Sequence, residues 1–261
     1  MNETPDYINF DRAADRYEDT RYIPPSVLER AAQLIVTDGG YSPGAPFLDA
    51  GTGIGRFARY LIAAGLQVTG VDISLEMLAR AQSLPDPRFL VRADLRYLPF
   101  HDSAFEGALL VHILHLIRDW KPVVREIQRV VKEGCPVYVG GETGKRFASR
   151  EIYFQVAAER GLSRSHIGAP NIEAILEYMA ALGAEVNQVD ARKLQWTGRT
   201  GIGEMLDTLR GNPFSHMWHI SPQDYADLME ETEKRVGAAY PDLNSVEETA
   251  AGMSIWRVVW S

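Results

Sequence analysis

Residues 47–56 read FLDAGTGIGR: an apolar run, an acid at Asp49, then Gly51, Gly53 and Gly55 at alternate positions. Glycines so placed after a strand make a turn whose backbone can come close to a ligand and adopt positive φ. The dinucleotide fingerprint asks for G-x-G-x-x-G, its third glycine letting the helix pack against the strand. Counting from Gly51, that third position is Arg56, and Gly55 falls one residue early. Asp49 would repel a pyrophosphate but suits a ligand carrying an ammonium or sulfonium group. Asp72 closes the run VTGVD, 21 residues after Gly51, the separation at which an acid accepts hydrogen bonds from ribose hydroxyls. Asp94 follows the next apolar run, in RADLRYLPF, where a carboxylate could accept from an adenine amino group. Open α/β sheets bind ligands beyond the carboxyl ends of their strands, so the three acids are expected to converge on one nucleoside-containing ligand.

Other residues could act on whatever lies beside that ligand. His112 and His115 are three apart, as are His216 and His219 in HMWH, so each pair could present two rings on one helical face. A metal site would need both pairs to meet across the sheet edge, and histidines packed in the fold or facing a ligand are commoner; no metal is expected. Glu142, after the fifth apolar run, and Tyr17 join His112 and His115 as candidate proton acceptors. The single Cys135 lies in an apolar run and is expected to be a buried, inert thiol.

The elements that must position these residues follow from periodicity. Apolar runs of strand length occupy 47–50, 67–71, 89–93, 107–111 and 135–141. Helical patterns lie at 26–36, 55–65, 74–82 with Ser74 as N-cap, and 121–134, ended by Gly134. Strand and helix in strict turn mean parallel pairing. Beyond this, 151–160 and 171–182 read as helices, 185–190 and 193–197 as extended, and 253–260 (MSIWRVVW) as a β-rich run. Between the last two lies an insertion of about 200–245, with a helix at 221–239 that Ser221 and Pro222 start. Its Met205, Phe214, Met217, Trp218, Tyr225 and Met229 would form helix core, a dimer surface or the cap of a substrate cavity.

Composition excludes several classes. A net charge of −8 and a pI near 5.3 argue against nucleic-acid binding, which needs a basic face. The polar N-terminus carries no apolar signal core, and no apolar run is long enough to span a bilayer, so neither export nor membrane insertion is expected and a reducing cytoplasm fits. We read 1–261 as one domain: a helical N-terminal lid over 1–40, a ligand-binding core over 41–141, and a substrate side over 142–261.

The segments LDAGTGIGRF, VTGVDISLEML, VRADLRYLPF, FEGALLVHILHLIRDW and REIQRVVKEGC, within 47–141, together resemble the class I S-adenosylmethionine-dependent methyltransferases. The likeness is greatest to the small-molecule branch that includes the ubiquinone and menaquinone biosynthesis enzymes; FDRAADRYEDTR at 10–21 is similar more loosely. The resemblance implies a Rossmann-like, three-layer, doubly wound α/β fold, with a seven-stranded, mostly parallel sheet and an antiparallel last strand. It implies S-adenosylmethionine as cofactor and direct in-line methyl transfer to a small-molecule acceptor, by a monomer or homodimer. Asp49, Ala50, Gly51, Thr52, Gly53 and Gly55 would seat the methionine part, and Asp72 the ribose. Ile73 and Met77 would flank the adenine, with Ala93, Asp94 and Leu95 at its edge. Val111 and His112 would line the floor, His115 would be structural or face the substrate, and Tyr17 and Arg21 would close over the cofactor. One departure is KEGC at 132–135, where the family usually has Lys-Pro-Gly-Gly; Gly134 keeps the turn. A noncatalytic cofactor-binding protein, an aminopropyl transferase and, disfavoured by Arg56 and Asp49, an NAD-dependent oxidoreductase are the rivals.

Overall fold

The computed structural model describes residues 6–8, 10–11, 22–82, 89–144, 146–163 and 166–261. Helix α1 (Pro25–Gly39) starts with proline at its first position and stops at Gly40, whose φ of 62° turns the chain out of the helix. The strict alternation follows: β1 (Pro46–Ala50), α2 (Ala58–Ala63), β2 (Gln67–Asp72), α3 (Leu75–Ala81), β3 (Leu90–Arg92), β4 (Gly107–Val111), α4 (Lys121–Val130) and β5 (Val137–Gly144). As expected, Ser74 caps α3, its Oγ accepting from the Met77 N–H at 3.1 Å. Gly134 holds the turn before β5 with φ of 75°.

The chain continues through α5 (Ala148–Glu159), α6 (Ile172–Ala181), β6 (Ala184–Gln188), β7 (Gln195–Gly201), α7 (Ile202–Arg210), α8 (Pro222–Ala239) and β8 (Val246–Trp260). The sheet order is β3-β2-β1-β4-β5-β8-β6, with β7 also paired to β8. Strands β1 to β5 are mutually parallel and β8 runs antiparallel to β5, β6 and β7.

Eight strands stand where seven were expected. The additional one is β7, which pairs with the first half of β8 from Gln195↔Gly252 to Gly201↔Val246. That half, VEETAAG, has weak strand propensity, so its extended form comes from its neighbours rather than its own residues. The run expected over 193–197 splits accordingly into a 3-10 turn, Arg192–Leu194, and the start of β7.

Successive strand residues point to opposite faces, so Phe47 and Leu109 join one apolar layer while Leu48 and Leu110 join the other. Helices α1 and α2 cover the first layer; α4 and α6 cover the second. A third cluster joins α5, α7 and α8 through Tyr153, Val156, Ile202, Met205, Leu228 and Val236. Among the described residues no helix is long and apolar enough to cross a membrane. Ile127 of α4 is fully buried in the second layer, whereas Leu75 is exposed. Ile127→Ala should therefore cost about 2–5 kcal/mol in urea unfolding, and Leu75→Ala within about 0.5 kcal/mol of nothing.

Candidate functional site

The turn after β1 is built by backbone freedom and fastened by carboxylates. Gly51, Gly53 and Gly55 have φ of 78°, 55° and 76°, the left-handed region that favours glycine. At Gly51 space is equally decisive: an added Cβ would lie 2.7 Å from Ile113 Cγ1. The Gly51 and Thr52 N–H groups both donate to the Val71 carbonyl, at 2.8 and 2.9 Å. Gly53 N–H donates to Asp72 Oδ2 and Ser74 N–H to Asp72 Oδ1, each at 2.9 Å. Beneath the turn, Thr52 Oγ1 donates to Asp49 Oδ2 at 2.7 Å.

Asp49 sits on β1, between Gly70 of β2 and Leu109 of β4, and is 4% exposed. Burial pushes its carboxyl up to about 6; the Thr52 hydrogen bond opposes this and the charge of Asp72 adds to it. Asp72 is also raised by burial, against the pull of its backbone N–H donors. Burial would raise Asp94 too, but the Arg96 guanidinium, 2.7 Å away, holds it below the ordinary range. Three acids at neighbouring strand ends thus have three different characters.

Asp72, Ile73, Ala93, Asp94, Leu95 and Gly51 line one side of a narrow groove of about 30 Å³. The N-terminal segment covers it: Tyr7 and Ile8 line the groove, Ile8 N–H donates to the Leu116 carbonyl at 3.0 Å, and Arg118 N–H to that of Asp6 at 2.8 Å. Met77, expected to flank an adenine, is instead 2% exposed in an apolar cluster with Phe10, Ile54 and Leu116. Ala50 lies in the sheet core and Val111 packs against the first apolar layer. Thr52, Gly53 and Gly55 shape the turn without lining the groove, and Tyr17 and Arg21 lie outside the described residues.

A second cavity, of about 490 Å³, opens beside the first. Among the described residues Ile113 is the one that lines both, which makes it the partition. His112, expected on the groove floor, faces this second cavity instead, turned there by a φ of 55° that is unusual for a residue with a Cβ. The Glu142 N–H donates to its Nε2 at 3.4 Å. His115 and Glu142 line the same cavity.

The insertion closes over this space. His115 and His166 have ring centroids 4.5 Å apart, and His166 and His216 5.4 Å. His219, the sequence partner of His216, turns away and places Nδ1 2.9 Å from the His216 carbonyl. Among the described residues no group of three or more His, Cys, Asp or Glu side chains is arranged to hold a metal ion. Phe154 and Phe214 complete an aromatic wall, with the Arg146 guanidinium 4.6 Å from the Phe154 centroid and that of Arg150 5.8 Å from Phe214. Of the insertion's other apolar residues, Met205, Met217, Tyr225 and Met229 are helix core, while Trp218 packs edge-on against Phe10 at 5.1 Å.

Sequence reasoning missed Tyr7, Ile8, Ile113, His166, Arg146 and Arg150. Arg146 and Arg150 stand four apart, either side of Phe147 and before Phe154; basic residues beside aromatics just after a strand end were the available signal, and they read equally as a solvated helix start.

Residues 48–139 match the family described as "Methyltransferase domain". The malonyl-[acyl-carrier protein] O-methyltransferase of Pseudescherichia vulneris is 34% identical over 128 residues, 49% of this chain and 49% of that protein. The demethylmenaquinone methyltransferase of Renibacterium salmoninarum is 30% identical over 143 residues, 53% of this chain and 60% of that one. The chain thus spans about half of the first of these relatives and three fifths of the second. Among solved structures, the YcgJ protein of Bacillus subtilis superposes with a TM-score of 0.59 at 16% identity, over 89% of this chain and 99% of its own. Over 48–139, therefore, the chain is similar to a methyltransferase domain, and its fold is the Rossmann-like α/β fold of the YcgJ protein.

Proposed function

We propose that this chain is an S-adenosylmethionine-dependent methyltransferase acting on a small-molecule acceptor. The observation that carries the reading is the pair of cavities at the strand ends, one edged by Asp72 and Asp94, the other lined by His112 and His115, sharing Ile113 as their wall. The residue types suit such a cofactor: the turn is open at Gly53, where an added Cβ would meet nothing within 4 Å, and the acids suit a ligand with a cationic end and a ribose. When bound, S-adenosylmethionine supplies a methyl group on a positively charged sulfur, already activated to leave.

The chain's own residues then bind and orient. Asp49 and the glycine turn would seat the amino acid portion, Asp72 would accept from the ribose hydroxyls, and Ile73, Leu95 and Asp94 would hold the base. Asp72 gives one oxygen to each of the Gly53 and Ser74 N–H groups, and a carboxylate's four lone pairs leave room to accept from a hydroxyl as well. The second cavity would align the acceptor, and alignment alone supplies on the order of 7–11 kcal/mol. His112, His115 or Glu142 would take a proton where the nucleophile must lose one, an effect of about 10²- to 10⁴-fold. The net charge of −8 supports an acceptor other than nucleic acid, and we place the protein in the cytoplasm as a monomer or homodimer.

Calorimetry with S-adenosylhomocysteine tests the reading: wild-type protein should bind it, and silence at high ligand concentration would sink the proposal. Asp72→Asn, which keeps one acceptor oxygen, should weaken binding at least about tenfold, with Tm measured alongside because Asp72 also holds the turn.

Asp49 gives a second, pH-resolved test. Its folded pKa is raised, so the stability it contributes is complete below 3.8 and is lost as pH rises through about 6. The whole excursion is worth roughly 3 kcal/mol. Asp49→Asn should remove that decline, so the ligand-free variant melts higher than wild type at pH 7 while binding S-adenosylhomocysteine more weakly. Parallel melting curves for the two proteins across this window would refute the assignment.

A further inference from the structure

The second cavity contains a charge that methyl transfer itself does not use. Arg150, near the start of α5, has a fully buried Nε with no hydrogen-bond partner. Its guanidinium lies 5.4 Å from the Phe147 centroid and 5.8 Å from that of Phe214, while the residue lines the cavity. A guanidinium keeps its charge in a protein and offers five N–H donors in a fixed fork. Leaving its buried Nε–H without an acceptor is costly. Arg129 shows how this chain satisfies a structural arginine: it donates to the Leu98 and Phe100 carbonyls and to the Glu126 and Asp102 carboxylates.

Arg150 has no such arrangement. Among the described residues no carboxylate lies within ion-pair distance of it. Glu142, the acid whose field reaches it, is exposed, and Arg146 adds a like charge from the preceding turn. Arg146 is itself paired with Glu151 at 3.2 Å. The amide end of α5 is not what awaits an anion, because Glu247 already accepts from the Ser149 N–H at 3.1 Å and from the Ser149 hydroxyl.

We propose that Arg150 anchors a carboxylate carried by the methyl acceptor, whose flat apolar body lies against Phe154 and Phe214. The inference rests on the reading of this cavity as the acceptor side. A carboxylate fits better than a phosphate monoester: it brings a single charge to the guanidinium that, of the two described in this cavity's lining, lacks a paired acid, and its two oxygens match the guanidinium fork. A phosphate, carrying nearly two charges, would remain only partly neutralised beside Glu142. The aromatic wall favours a planar body over an aliphatic one.

The test is calorimetry on the protein saturated with S-adenosylhomocysteine, using benzoate and cinnamate against benzamide and cinnamamide. Wild-type protein should prefer each acid over its amide by at least about tenfold. Arg150→Met should abolish that preference and Arg150→Lys should keep part of it, both with unchanged S-adenosylhomocysteine affinity, a readout that also certifies folding. Equal binding of acid and amide, no binding of either acid at millimolar concentration, or a preference that survives Arg150→Met would overturn the inference. Loss of S-adenosylhomocysteine binding in the wild type would instead overturn the cofactor reading, so the two failures are distinguishable.

Discussion

The Asp72 carboxylate is the fastening on which the site's geometry hangs. One oxygen holds the Gly53 amide and the other the Ser74 amide, so the turn after β1 and the turn after β2 are locked to a single side chain. Three left-handed glycines in succession would otherwise leave that turn many conformations to sample. Locked, it presses Gly51 against Ile113, and Ile113 in turn separates the two cavities. Ser74 extends the linkage, since it caps α3 through Met77 and donates to Asp11 in the N-terminal segment. Cover, turn and partition are thus mechanically continuous.

The two cavities are also electrostatically opposed. Asp72 and Asp94 edge the groove, with Asp49 buried beneath, whereas among the described residues the larger space is lined by Arg146 and Arg150 against the single acid Glu142. The protein as a whole is acidic, so the positive character of that space is a local construction. It is made by two residues set against aromatic faces, where a guanidinium stacks without giving up its donors.

How much of this could be read in the sequence depends on whether local pattern or distant pairing decides the outcome. The strand runs, the Ser74 cap, the positive-φ glycines and the clustering of Asp72 and Asp94 follow from residues near in sequence, and all were legible. Met77 lies in the cluster around Phe10 and Leu116, contacts that α3 alone does not specify. The direction His112 takes follows from a left-handed φ, which at a histidine has no sequence signature. His166 carried no signal, Arg150 read equally as part of a solvated helix start, and only the first part of β7 was expected as extended, because each owes its position to segments brought together by β8 and the helices before it. His216 illustrates the same point: besides the near neighbour His219 at its carbonyl, its ring meets that of His166, far upstream in the chain.

Strand β8 has two lives along its fifteen residues. Its last part, flanked by β5 and β6, belongs to the sheet that positions the glycine turn, while its first part, paired to β7, carries α7, α8 and the segment bearing Phe214 and His216. The wall of the larger cavity is therefore hung from an extension of the sheet and packs in an apolar cluster of its own. Lengthening or exchanging 202–245 would reshape that wall while leaving the registers of β1 to β5 untouched. The shape of that wall is thus separable from the sheet that carries the turn.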